Sequence, residues 1–172
     1  MQSVSERILK AMRRPYTVET VEELVKLAGS LIDDVALGCD MMAGFPGETQ
    51  ADFLESAKLL KRCGFTNAHV FPYSERPGTP AAAFPSPIAK EMRSVRARQL
   101  AEIAERERKR FKRGFIGKRV EVLIEDEKKS AGWTSQHLWF EHSRPQSKNA
   151  PKRREIAAFT VGEIKNGVLR GI

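Results

Sequence analysis

Three stretches carry residue types that could do chemistry. The first is GCDMMAGFPGETQADF, Gly38 to Phe53, where an apolar run ends in two glycines and a proline and a helical pattern follows at once. Such a loop is either an inexpensive strand–helix turn or a place where main-chain amides approach a ligand without a Cβ in the way. The second is HVFPYSERPGT, His69 to Thr79, an apolar run entering a Pro-rich loop that carries Ser74, Arg76, Gly78 and Thr79. Arg76 could meet a phosphate or a base, although an exposed loop arginine is more often simply solvated. The third is cationic: Ile88 to Arg119 holds twelve Lys or Arg against four Glu, enough to account for the whole net charge of +8. A second basic run, PKRRE, spans Pro151 to Glu155. A solvated helix face and a loop are the ordinary fate of such runs, but two in one basic chain suit a polyanion such as nucleic acid.

Other chemistries are poorly supported. Cys39 and Cys63 fit neither zinc spacing nor a redox pair, and their apolar surroundings predict buried free thiols. His69, His137 and His142 form no metal-spaced cluster. No apolar run reaches membrane-spanning length, and MQSVSERILK lacks the apolar centre of a signal peptide. The expectation is a cytoplasmic chain with no membrane and no DNA partner.

The elements that must position these residues can be read from periodicity. A short helix is predicted over Ser5–Arg13 with Ser5 as N-cap, ended by Pro15. A second starts at Thr17 or Thr20, with Thr20 and Glu23 as a capping box, and stops near Gly29. Val35–Ala43 and Asn67–Tyr73 read as strands buried on both faces. Between them Thr49 caps a helix that closes at Gly64, and a long basic helix follows over about Pro87–Lys112. Strands alternating with helices imply a parallel sheet with ligands at the carboxyl ends of the strands, where both unusual loops lie. After Gly114 the pattern changes to an all-β module: KRVEVLIED, GWTSQHLWFE and two short strands around Asn166-Gly167. The predicted domains are therefore 1–113 and 114–172. Two parallel strands alone leave apolar edges bare, so the sheet is expected to be part of a larger one, completed by missing residues or by another chain.

With these residues in hand, the chain resembles the radical S-adenosylmethionine (SAM) tRNA methylthiotransferases. QSVSERILKAMRRPYT, DMMAGFPGETQADF and HVFPYSERPGTPAA are similar to three successive motifs of that family, in order and spacing. HVFPYSERPGT looks most like the branch acting on N6-threonylcarbamoyladenosine, and the branch modifying a ribosomal protein has a similar loop. Gly117–Ile172 resembles the RNA-binding TRAM domain through GKRVEVLIE and GWTSQHL, whereas SRPQSKNAPKRRE is less typical and Val4 stands where a glycine is usual. The resemblance implies an α/β fold: the C-terminal half of a parallel (β/α) radical SAM partial barrel, then a small TRAM barrel.

The resemblance further implies roles. Gln2, Ser3, Gly44, Phe45, Pro46, Gly47, Glu48, Val70 and Phe71 would border S-adenosylmethionine. Arg76, Arg106, Arg108, Lys109, Arg110, Lys112, Arg113, Lys152, Arg153 and Arg154 would face tRNA near its anticodon, with Trp133, His137, Trp139 and Phe140 as stacking candidates of which at least two are expected in the core. The family's 4Fe-4S clusters need a CxxxCxxC motif and three further cysteines, and neither set is in this sequence, so no catalytic residue or metal ligand is assigned. The isolated chain is expected to show no turnover. Three readings follow: the C-terminal portion of a tRNA methylthiotransferase, a non-catalytic RNA-binding module, or a subunit that completes its barrel with a cluster-bearing chain.

Overall fold

The computed structural model describes residues 2–142 and 150–172. The chain divides into two compact units between Arg108 and Lys109, inside its longest helix.

In the first unit α1 is Glu6–Ala11, α2 Val18–Leu31, β1 Gly38–Ala43, α3 Gln50–Cys63, β2 Asn67–Pro72 and α4 Lys90–Arg113, with one 3-10 turn at Pro80–Ala83. β1 and β2 are parallel, Gly38 opposite Asn67 and Ala43 opposite Pro72, and α3 makes the crossover. Thr49 and Asp52 form a reciprocal capping box that starts α3 directly after the Gly44–Glu48 loop. The core gathers Cys39, Met41 and Ala43 of β1 with Phe53, Leu59 and Leu60 of α3 and Leu100 and Ile103 of α4.

Several expectations are corrected here. β1 alternates, its other face being exposed at Gly38 and Asp40, and β2 is mostly half-buried or exposed. Among the described residues α3 and α4 pack their buried side chains on β1 together with Val18, Val21 and Val25 of α2, while Met42 packs with Ile8 of α1. Thr17, not Thr20, caps α2 by accepting from the Thr20 N–H, and α2 runs through Gly29 to Leu31, because a glycine inside a helix costs only about 1 kcal/mol. Ser5 does stand at the N-cap position of α1, as expected, but its side chain makes no capping hydrogen bond. Cys39 is buried, while Cys63 is only half-buried.

The second unit is a closed five-stranded barrel, β3 Arg119–Asp126, β4 Ala131–Thr134, β5 Trp139–His142, β6 Ile156–Lys165 and β7 Val168–Gly171, in the order β3-β4-β5-β7-β6. GWTSQHLWFE is thus a hairpin, β4 and β5, and not one strand: the chain turns back where the His137 N–H donates to the Thr134 carbonyl. Val120, Val122 and Ile124 point inward from β3 to meet Phe140, Val161 and Leu169. Asn166 and Gly167 both adopt positive φ, 51° and 77°, the conformation a two-residue hairpin turn requires. Ser143 to Asn149, most of the atypical stretch, lies outside the described residues.

Candidate functional site

A cavity of about 480 Å³ opens at the carboxyl ends of β1 and β2. Four segments build it. Gln2 precedes α1, the end of α1 contributes Ala11 to Arg14, the end of β1 and the loop after it contribute Met42 and Phe45, and the end of β2 and the chain after it contribute Phe71 to Ser74, Arg76, Thr79 to Ala81 and Phe84. Its floor is aromatic: Phe45 sits edge-on to Tyr73 at 5.4 Å and to Phe84 at 5.8 Å. Ile8, fully buried, packs beneath with Phe45 and Tyr73. The Tyr73 hydroxyl is buried with no hydrogen-bond partner.

The two loops that shape the cavity are held by α4. The Glu48 carboxylate accepts from the Gly44 N–H at 3.0 Å and from Arg96 at 2.7 Å, and Arg96 also donates to the Glu48 carbonyl at 3.1 Å and to the Gln50 side chain at 3.3 Å. Burial pushes the Glu48 carboxyl above its ordinary range, and the Gly44 N–H and Arg96 pull against that without cancelling it. Arg93 donates to the Tyr73 carbonyl at 3.4 Å, to the Ile88 carbonyl at 2.6 Å and to Glu75 at 2.6 Å, with its guanidinium 5.2 Å from the Tyr73 ring centroid. Gly44 has φ +78°, and a Cβ built there would lie 2.6 Å from Arg93 Cγ. Gly44 is therefore needed for close packing against an arginine of its own chain, whereas Gly47 serves by its positive φ of 80°.

The sequence-predicted residues part company. Gln2, Phe45, Phe71 and Arg76 line the cavity. Pro46, Gly47 and Glu48 line a separate recess with Arg7 and Ser86 to Ile88. Ser3 is buried and accepts from the Ser5 N–H at 3.3 Å, and Val70 packs against the core. Glu48 holds a loop; its oxygens are occupied by Gly44 and Arg96. Arg93 and Arg96 are functional neighbours that sequence reading missed. The signal was present, since they fall on the same helical stripe as Ala97, Leu100, Ile103 and Ala104.

The cationic residues stand on α4 and on the barrel. Arg106, Lys109, Arg110 and Arg113 are exposed, Arg108 and Lys112 half-buried, and Lys112 donates to the Gly167 carbonyl at 2.6 Å. Lys152, Arg153 and Arg154 are exposed, with Arg153 3.9 Å from Glu125. Of the four stacking candidates only Phe140 is core; Trp139 is half-buried, His137 exposed and Trp133 44% exposed. Leu138, 2% exposed, takes the second interior place. Trp133 and Trp139 are registered partners 4.9 Å apart, and register extends the row through Leu123 to Ile156, an outward apolar line across four strands. Glu141, two residues from Trp139, is paired with Arg170.

Neither thiol suits a cluster: burial pushes Cys39 up to about 11 and raises Cys63 as well. Among the described residues no three His, Cys, Asp or Glu gather to hold a metal ion. No helix of the described residues is long and apolar enough to cross a membrane.

Residues 1–60 match the sequence model of the Radical SAM superfamily. The chain is 40% identical over 124 residues to the tRNA-2-methylthio-N(6)-dimethylallyladenosine synthase of Thermobifida fusca (strain YX), covering 72% of this chain and 25% of that protein. The synthase of the same name from Erythrobacter litoralis (strain HTCC2594) is 36% identical over 142 residues, 82% of this chain and 32% of its own length. That of Acetivibrio thermocellus is 43% identical over 124 residues, 72% of this chain and 26% of its own length. The chain thus spans a quarter to a third of these relatives. Over those residues the chain is similar to tRNA methylthiotransferases, and all three relatives carry the dimethylallyladenosine name and none the threonylcarbamoyl one.

Proposed function

We propose that this chain supplies the substrate-facing part of an enzyme that adds a methylthio group to C2 of N6-threonylcarbamoyladenosine, in the anticodon loop of cytoplasmic tRNA, by radical SAM chemistry. The observation that carries the reading is the aromatic-floored cavity. Its walls come from the three sequence segments similar to that family, gathered at the carboxyl ends of two parallel strands. The relatives' names support tRNA methylthiolation. The threonylcarbamoyl branch is supported by the HVFPYSERPGT loop, which puts Phe71, Tyr73, Ser74 and Arg76 on the cavity. A dimethylallyladenosine substrate is the second reading, favoured by those same names.

S-adenosylmethionine and its 4Fe-4S cluster would supply the radical chemistry, with cluster thiolates from outside these 172 residues, either elsewhere in a longer protein or on a second chain. This chain's share is positioning. Arg93, Arg96 and Glu48 fix the loops after β1 and β2, and the small TRAM-like barrel with the cations of α4 engages tRNA phosphates. The test is a chimera that joins residues 1–172 to the N-terminal part of the Thermobifida fusca relative, expressed in cells without a methylthiotransferase. Mass spectrometry of hydrolysed tRNA should reveal the methylthio derivative of N6-threonylcarbamoyladenosine. The dimethylallyl derivative alone would install the second reading, and neither product from a folded, cluster-loaded chimera would overturn both.

A further inference from the structure

The segment QSVSERILKAMRRPYT ends in a tyrosine that folds back on its own beginning. Tyr16 stands between α1 and α2, next to Pro15 and to Thr17, the cap of α2. Its hydroxyl accepts from the Gln2 main-chain N–H at 3.2 Å and donates to the Gln2 side-chain Oε1 at 2.6 Å. The Gln2 carbonyl accepts from the Met42 N–H of β1 at 3.0 Å. Gln2 is therefore tied at three atoms, two of them to one hydroxyl.

This arrangement fixes which way the Gln2 amide faces. A main-chain N–H can only donate, so it takes a lone pair of the hydroxyl and leaves the phenolic proton in need of an acceptor. Oε1 is that acceptor. With the amide turned over, Nε2 would bring a second donor to the hydroxyl, and the phenolic proton would have nothing in this group to bond. Gln2 lines the cavity at the carboxyl ends of β1 and β2, and Tyr16 does not. The Nε2 donors have no hydrogen-bond partner among the described residues, so they are what Gln2 has to offer a bound molecule.

We propose that Tyr16 is a positioning residue: its hydroxyl holds the Gln2 amide so that Gln2 meets S-adenosylmethionine as a donor, toward an acceptor oxygen of the ribose or the carboxylate. Tyr16 acts only through Gln2. A free glutamine side chain loses rotamer freedom when it binds, and the hydroxyl removes that freedom in advance. The proposal rests on the reading above in naming S-adenosylmethionine; the orientation of the amide is independent of it.

The test is nuclear magnetic resonance of the full 172-residue chain with its glutamine side chains labelled at nitrogen. Without ligand the Gln2 amide should be as ordered as the β1 backbone, and Tyr16→Phe should release it with an unchanged unfolding midpoint. The chain and its variants are then titrated with S-adenosylmethionine and with adenosine. Gln2→Ala should weaken S-adenosylmethionine binding about fivefold, the loss of one hydrogen bond. Gln2→Glu keeps an oxygen for Tyr16 but presents another oxygen to the ligand, and should weaken binding at least as much. Tyr16→Phe should weaken it about threefold in the parent and not at all on the Gln2→Ala background. A merely structural tyrosine would cost the same on both backgrounds. A Gln2→Glu penalty shared by adenosine identifies the ribose as the acceptor, and one confined to S-adenosylmethionine identifies the carboxylate. Equal Tyr16→Phe losses on both backgrounds, a Gln2→Glu chain that binds as tightly as the parent, or a parent whose Gln2 amide does not respond to S-adenosylmethionine would overturn the proposal. The chimera reports separately. If it makes product while Tyr16 and Gln2 prove uncoupled, only the positioning role falls. If it makes none while the coupling holds, only the enzymatic reading falls.

Discussion

Arg96 is the side chain whose loss has the most calculable consequence. It is 9% exposed, its partner Glu48 is 4% exposed, and they meet at 2.7 Å. Arg96→Met preserves much of the stem that packs near Phe53 but leaves Glu48 with the Gly44 N–H alone. An uncompensated buried charge costs about 3–5 kcal/mol. Glu48 can escape by taking up a proton, and burial has already raised its pKa, so the lower end, about 3 kcal/mol, is expected at neutral pH. The sign with pH follows from a folded-state pKa above the unfolded one. Stability is greatest below the unfolded value and falls as pH rises through the folded value, so the variant should lose more near about pH 8 than near about pH 5. The double variant Glu48→Gln, Arg96→Met removes both charges and should recover to within about 1 kcal/mol of the parent. Urea unfolding supplies an internal control, because both tryptophans, Trp133 and Trp139, lie in the barrel. Their fluorescence should report an unchanged barrel transition while the far-UV helical signal moves to lower urea. A single variant as stable as the parent, or a double variant as unstable as the single, would refute the clamp.

Other outcomes follow from the same geometry. Gly44→Ala must place a Cβ 2.6 Å from Arg93 Cγ at positive φ, and should destabilise the first unit by about 2 kcal/mol or more in the same assay. Trp133→Ala, at a site 44% exposed, should leave barrel stability within about 1 kcal/mol while lowering tRNA affinity about tenfold in filter binding, through lost base stacking. Arg106→Gln with Arg113→Gln should reduce the slope of log affinity for tRNA against log salt by about 2, with no change in the unfolding midpoint. Cys39, with its thiol pushed up to about 11, should resist iodoacetamide in the native chain near neutral pH and react once unfolded, as read by peptide mass spectrometry.

Local rules were legible where one residue's chemistry decides the outcome. Thr49 and Asp52 three positions apart announced α3, and Asn166-Gly167 announced a hairpin. The β4–β5 turn was hidden because it uses Ser135 to His137, without glycine or proline, and settles by putting His137 at positive φ. Burial misled more than periodicity. Apolar runs at β1 and β2 suggested two covered faces, but the number of layers over a sheet is a property of the whole fold and not of a strand. Arg93 and Arg96 looked like members of a solvated basic helix, since composition does not distinguish a cation facing water from one that hydrogen-bonds loop carbonyls and carboxylates. Both loops of the site were legible as a place. Its rim brings Arg13 and Arg14, at the end of α1, together with Arg76, from the loop after β2, a juxtaposition that no single stretch of sequence displays.

The central claim is that this chain recognises an N6-modified adenosine within tRNA. Its most direct test is filter binding of the 172-residue chain to an anticodon stem-loop RNA, with and without N6-threonylcarbamoylation of the target adenosine, beside DNA of the same sequence. The account predicts salt-sensitive binding of both RNAs, tighter for the modified one, and much weaker binding of the DNA. Equal affinity for all three would contradict it, leaving a basic chain that attracts any polyanion.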